Sequence, residues 1–355
     1  MAGALVTLKD IASNLDLSVM AVSKALRDSS DISTNTKARV QAEARRLGYV
    51  PNRSARSLRA GSSLLIGCIM PSFEDNDCIQ IFKGLEAEAS ELDFDMLVAS
   101  SMNQAEREIL AFRRMVQHKI DAVFIYSAAQ GGHRSLILDE AARLQVPTLF
   151  VGQYPADLIA SEKAGWVAAD NLRAGYIATE YLISQGHKKI LYLAGPLGSS
   201  RAAEHFSGYK KALMDQEVEM DETLVFLAGT DWRSGQATMA QVMDEAVDFT
   251  AVVCLSDSVA LGAMSYLRKQ GVRLPDEVSF VGYGDEPESE FLAVPLTTIR
   301  VLRQEIGQCA FRLWLQRKNT NQSFGQRILP VELVIRKSVM SLQQETSPTA
   351  IAQRS

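Results

Sequence analysis

Three groups of side chains in this 355-residue chain have types and spacings that suit chemistry. The first is Ser18-Val19-Met20-Ala21, followed by Ser23 and Lys24. A lysine ammonium donates to guanine O6 or N7, and exposed valine and methionine pack on thymine methyls, so this set suits major-groove reading. The second is Asn52-Arg53-Ser54-Ala55-Arg56-Ser57-Leu58-Arg59. Its three arginines can neutralise phosphates. Ala55 and Leu58, three apart, would share one face of a short helical turn, as a minor-groove wedge requires. The third is dispersed: Phe73, Asp75, Tyr126, Asp170, Asn171, Arg201, His205, Trp232, Asp257 and Asp285. Carboxylates, an amide, cations and rings of this kind suit a small polar or polyhydroxylated ligand.

Catalytic patterns are missing. The chain carries no GxSxG, GxxxxGK[ST], HExxH or GxGxxG, so no enzyme activity is expected. Its four histidines are scattered, and its four cysteines form no CxxC pair. Neither a metal nor any other cofactor is expected, and reduced thiols fit better than a disulfide framework. No apolar stretch reaches the length of a membrane span, and the first residues lack a secretory apolar run. The expected location is therefore the cytoplasm.

A net charge of −5 argues against a nucleic-acid partner until it is divided. Residues 1–61 hold ten Lys+Arg and five Asp+Glu, a balance of +5, which leaves −10 on the remainder. A small basic head on a large acidic body places an anionic partner at the head alone.

The elements that must hold these groups follow from caps and periodicity. Thr7 is placed to cap a helix with Leu8, Ile11, Ala12 and Leu15 on one face. Ser18 caps a second, Val19 to Leu26, separated from the first by a turn too tight for anything but a sharply angled pair. Ser33 opens a third, whose Val40, Ala44 and Leu47 cover the pair, and Gly48 and Pro51 stop it. In this helix-turn-helix the second helix enters the groove, with Thr7 and Ser18 near the DNA. A plain three-helix unit with solvated charges, and a merely basic linker at 51–61, are the duller alternatives.

From Ser62 short apolar runs alternate with amphipathic helices. The runs are Leu64–Met70, Phe94–Ser100, Asp121–Tyr126 and Pro147–Val151, then Trp166–Ala169, Ile190–Ala194, Leu224–Leu227, Ala251–Leu255 and Val278–Val281. Alternation without hairpin signals predicts two Rossmann-like parallel sheets, each binding at the carboxyl ends of its strands. Asp170 and Asp257 are equally well placed as helix caps, and Trp232 as lobe core.

Val6-Thr7-Leu8-Lys9-Asp10-Ile11-Ala12, Val22-Ser23-Lys24-Ala25-Leu26, Leu47-Gly48-Tyr49-Val50-Pro51-Asn52 and Ala55-Arg56-Ser57-Leu58-Arg59 resemble the head and hinge of the lactose/galactose repressor (LacI/GalR) family. The likeness runs on to about Val339. It implies an α/β chain with an all-α helix-turn-helix head on a two-lobed, periplasmic-binding-protein-like body. Its divisions would be 1–50 for the head, 51–61 for a hinge helix, 62–341 for the ligand-binding and dimerisation core, and 342–355 for a flexible tail. The N-lobe would comprise about 62–162 and 292–324, the C-lobe about 163–291 and 325–341, with crossings near 161–165, 288–296 and 322–328.

The resemblance further implies a homodimeric transcriptional regulator, a repressor. Its partners would be a palindromic double-stranded DNA operator and a small-molecule effector, a carbohydrate or related polar metabolite. It also implies that Trp232 and Asp257 touch that effector. The chain departs from the family where Asp75-Asn76-Asp77-Cys78 replaces an Asn-Pro-aromatic-aromatic stretch, where His205 replaces an arginine, and where Gly284-Asp285 replaces an acidic pair. Arg201, four residues before His205, is the expected substitute cation. A regulator answering to a protein co-regulator, and a solute-binding protein, are the alternative functions.

Overall fold

The computed structural model describes residues 6–50, 62–127, 136–155, 158, 164–196, 198–320 and 325–342. It divides into two compact units, Met1–Ser63 and Leu64–Ser355.

In the smaller unit α1 (Leu8–Leu15), α2 (Val19–Leu26) and α3 (Thr34–Leu47) enclose Ile11, Val22, Ala25 and Val40, all fully buried. The caps fall where the sequence places them. Thr7 donates twice to the Asp10 carboxylate, from its backbone N–H at 2.7 Å and from its hydroxyl at 2.8 Å. Ser18 Oγ accepts from the Ala21 N–H, Ser33 Oγ from that of Thr36. Such caps each contribute about 1 kcal/mol by satisfying orphan first-turn donors. Gly48 closes α3 in the left-handed region at φ +67°, where a side chain would be strained.

The larger unit holds two six-stranded sheets. The N-lobe begins with β1 (Leu65–Met70), α4 (Asn76–Glu91), β2 (Asp95–Ser100), α5 (Ala105–Gln117), β3 (Ala122–Ile125), α6 (Leu136–Leu144), β4 (Thr148–Val151) and β5 (Gly165–Ala169). The C-lobe follows with α7 (Asn171–Ser184), β6 (Ile190–Ala194), α8 (Ser200–Asp215), β7 (Val225–Leu227), α9 (Trp232–Asp244), β8 (Ala251–Cys254), α10 (Asp257–Lys269), β9 (Ser279–Gly284) and β10 (Thr297–Val301). The chain then returns through α11 (Arg303–Thr320) and β11 (Gln326–Leu329) to the N-lobe, and ends with β12 (Val331–Val334) in the C-lobe. The orders are β11-β5-β4-β3-β1-β2 and β12-β10-β9-β8-β6-β7. All pairings are parallel except β12 with β10. The central strands are continuous apolar runs because helices cover both faces.

The lobe boundaries differ from those the sequence suggests. Trp166–Ala169 was expected to open the C-lobe, but β5 pairs with β4 and belongs to the N-lobe. Residues 292–301 were expected in the N-lobe, but β10 pairs with β9 in the C-lobe. Residues 325–329 were expected in the C-lobe, but β11 extends the N-lobe sheet beside β5. The chain therefore crosses at Asp170, Leu302 and Pro330, each time directly after a strand of the sheet being left. An apolar run carries no mark of which sheet it joins, and β10, β11 and β12 were not anticipated as strands at all.

Three of the helix pairs on the sheet faces meet at glycines. A Cβ on Gly84 of α4 would lie 1.9 Å from the Gln304 carbonyl oxygen of α11, and one on Gly307 would lie 1.9 Å from that of Ile81. Gly175 and Gly208 pair α7 with α8 in the same way, and Gly235 and Gly262 pair α9 with α10. Backbone packs directly on backbone at all three crossings.

Candidate functional site

On the head, α2 turns Val22 and Ala25 inward and leaves its beginning bare. Ser18 and Val19 are exposed, and Met20 is 70% exposed. Apolar Val19 and Met20 thus form a small patch at the helix N-terminus, beside partly buried Ala21 and Ser23. Thr7 and Ser18 act as caps, each with its hydroxyl at the protein surface. Lys24 differs from the sequence expectation of a free donor, because its ammonium is paired with Asp31, which also accepts from Ser29 Oγ at 2.6 Å. Asn52, Arg53, Ala55, Arg56, Leu58 and Arg59 lie outside the described residues.

In the body, the carboxyl ends of the two sheets face each other and a set of polar side chains joins them. Asp77, in the first turn of α4, receives Arg201 of α8 on one oxygen and Arg303 of α11 on the other. Arg303 also donates to the Gly284 carbonyl at 2.5 Å and to Glu286 at 2.7 Å, and Asn76 donates to the other Glu286 oxygen. Burial alone would raise the Asp77 pKa, but Arg303 and then Arg201 outweigh it and hold the carboxyl below its ordinary value. For Asp75 burial and the Asp77 charge win, and its pKa is raised.

A second set lies beside the first. Glu204 accepts from the Tyr154 hydroxyl and from Asn171 Nδ2 at 2.9 Å, and Asn171 Oδ1 accepts from the Tyr283 hydroxyl at 2.7 Å. Tyr154 stacks on Trp166 at 4.3 Å between ring centres, and the Arg201 guanidinium lies 5.8 Å from the Tyr283 ring. His205 bonds Tyr192 through Nδ1 at 2.9 Å; burial, then the Arg201 charge, lowers its pKa to about 3. It is therefore neutral. Arg201 Nε and His205 Nε2 are buried with no partner among the described residues.

The expected site residues separate into three kinds. Tyr126, Asn171, Arg201 and His205 come together at this junction, with Asp75 close enough to feel the charges of Asp77 and Arg201. Phe73 stands exposed on the loop after β1, and Trp232 stands exposed as the first residue of α9. The remainder turn away. Asp170 caps α7 through the Arg173 N–H, and Asp285 pairs with Arg300 at 2.7 Å and Arg336 at 2.6 Å. Asp257 points into the C-lobe, where it accepts from Thr298 Oγ1, Ser289 Oγ and the Glu286 N–H. Ser256, not Asp257, caps α10.

Sequence reasoning missed Asp77, Tyr154, Glu204, Tyr283, Glu286 and Arg303. Asp77 lay within the unusual 75–78 stretch and Glu204 beside His205, so adjacency was the available signal; Arg303 gave none, because β10 before it was not recognised. Among the described residues no group of three or more His, Cys, Asp or Glu is arranged to hold a metal, and no helix is long and apolar enough to cross a membrane.

Comparison with known proteins agrees with this anatomy. Residues 7–52 match the model for bacterial regulatory proteins of the lacI family, and residues 63–337 match periplasmic binding proteins and the sugar binding domain of the LacI family. The chain is 30% identical over 337 residues to the HTH-type transcriptional repressor CytR of Escherichia coli K12, covering 95% of this chain and 97% of that one. It is 31% identical to the HTH-type transcriptional regulator CelR of Thermobifida fusca, over 94% and 96% of the two chains. Among solved structures, the lac repressor dimer bound to operator and the anti-inducer ONPF superposes with a TM-score of 0.82 at 28% identity, covering 95% of this chain and all of that one. A CelR–cellobiose complex superposes at 0.72 with 27% identity, covering 94% and 99%.

Proposed function

The chain belongs to the LacI family of bacterial regulatory proteins, and from that premise we propose that it is a homodimeric repressor reading a palindromic operator through α2 under control of a small polar effector held between its lobes. The observation that carries this reading is the exposed Val19–Met20 patch at the start of a helix whose Val22 and Ala25 are buried. Exposed apolar side chains at that place are what thymine methyls need. One head supplies few base contacts, so two copies on two half-sites are required for useful specificity. The solved relatives support the partners: a lac repressor dimer on its operator, and CelR with cellobiose.

For the effector, Tyr126, Asn171 and Arg201 form the inner surface and Phe73 and Trp232 the rim, while Asp75 offers a carboxylate. Asp170, Asp257 and Asp285 support the site indirectly, through a cap and internal bonds. Ser18, Thr7 and Lys24 would approach phosphates or bases, and residues 52–59 would occupy the minor groove. A chromosomal operator places the protein in the cytoplasm, at the nucleoid. Selection of bound fragments from the source genome by the full chain tests the reading. A recurrent inverted repeat is the expected result, with half-sites that change when Val19 and Met20 are replaced. Enrichment without a shared motif refutes it.

A further inference from the structure

We propose that the body closes on itself without an effector, through a charge latch centred on Asp77. This rests on reading the junction between the lobes as the ligand site, and it concerns how that site is regulated.

The latch alternates between lobes. Asn76 and Asp77 sit on α4, and Arg303 begins α11, all in the N-lobe; Arg201 on α8, Gly284 and Glu286 belong to the C-lobe. Asn76 to Glu286, Glu286 to Arg303, and Asp77 to Arg201 are therefore three side-chain bonds across the junction. Arg303 adds a fourth contact, to the Gly284 carbonyl. At the other rim Tyr154 donates to Glu204 and its N–H to Ser200 Oγ at 3.2 Å, while Ser199 Oγ donates to Gln153 at 2.7 Å.

Two features make this more than a chance meeting of surface charges. The ion-pair side chains keep between 9 and 19% of their surface exposed, so water screens them far less than it screens an ordinary surface pair. The seat of Arg303 is also shaped for it. Gly284 has φ +134°, and a Cβ there would lie 2.5 Å from Arg303 Nη2. The residue that breaks the family's acidic pair is thus the one whose lack of a side chain admits the guanidinium. A carboxylate supplied by the chain itself, Asp77, holds two arginines that would otherwise await a ligand.

The test measures the distance across the junction in the full-length dimer. Spin labels are placed at Met102→Cys and Leu227→Cys, exposed residues following β2 and ending β7, in a Cys309→Ser background. The labelled chain is refolded from urea to strip carried metabolites, then diluted with unlabelled chain so that each dimer bears one pair. The unsubstituted latch is expected to give a short, narrow distance distribution without ligand. Asp77→Asn should shift it to longer, broader values. Glu286→Gln, which leaves Asp77 in place, should do so in part, with circular dichroism verifying the fold of each. A broad distribution in the intact chain, or distances unmoved by both substitutions, overturns the latch. Failure of the ligand-site reading is separate: a metabolite panel would then leave the melting temperature of every variant unchanged, whatever the distances show.

Discussion

Replacing Asp257 with alanine should destabilise the body by about 3–4.5 kcal/mol, from three donors at about 1–1.5 kcal/mol each. Its carboxylate is 3% exposed and holds Thr298 Oγ1 at 2.5 Å, Ser289 Oγ at 2.8 Å and the Glu286 N–H at 2.9 Å. Thr298 and Ser289 are themselves buried, so truncation strands donors that water cannot reach. Burial raises the Asp257 pKa despite these bonds. The sign follows: its protonated form is favoured in the fold, so this group's contribution is full below pH 3.8 and declines as pH rises through the raised pKa. Asn, which keeps one acceptor, should lose about 1–3 kcal/mol. Urea titration followed by the fluorescence of Trp232, the C-lobe tryptophan, measures both at pH 7. Effector response should weaken only as far as the C-lobe unfolds. If Asp257→Ala instead keeps stability within about 1 kcal/mol of the parent and loses the ligand response, Asp257 serves the ligand and the inward assignment is wrong.

Other perturbations address the head, a buried base and a helix crossing. Asp31→Ala frees Lys24, so non-specific duplex binding should tighten and the slope of log K against log salt steepen by about 0.9; an unchanged slope in fluorescence anisotropy removes Lys24 from the DNA face. His205 is held near pKa 3 against an ordinary 6.5, so the unfolded chain takes up a proton that the fold refuses, and stability falls as pH drops through that interval. The dependence approaches about 1.4 kcal/mol per pH unit for this one group, and His205→Gln should remove it from the melting profile. A profile of undiminished slope contradicts the burial argument. Gly84→Ala, with its Cβ 1.9 Å from a carbonyl oxygen, should lower the melting temperature by an overpacking cost of about 1–3 kcal/mol. A helix-propensity gain showing as higher stability would mean that α4 and α11 separate easily.

Much of this was legible in the sequence, and the reasons are local. Thr7, Ser18, Ser33 and Gly48 announce the head because caps act within one turn. The Leu65–Met70 and Ile190–Ala194 strands announce themselves because strands buried on both faces must be continuously apolar. What failed was non-local. Whether Trp166–Ala169 pairs with β4 or β6 is decided by the whole sheet, and nothing in four apolar residues records it. The crevice residues divided along the same line. Arg201 was found because it stands at a family position's near neighbour, whereas Arg303 and Glu286 meet across 17 residues of sequence and two lobes. Asp257 was misjudged because a carboxylate heading a helix looks alike whether it faces ligand or Thr298.

The paired glycines on the sheet faces bear on how such a body can move. A contact made of main chain against main chain has no rotamers to exchange, so it cannot absorb a displacement by repacking. The α4–α11, α7–α8 and α9–α10 pairs therefore turn each lobe into a stiff lever. Compliance is left to the three places where the chain passes between lobes, Asp170, Leu302 and Pro330, and two of these border the residues that grip Asp77 and Glu204. A push at the crevice is delivered undiminished to the far end of each lever.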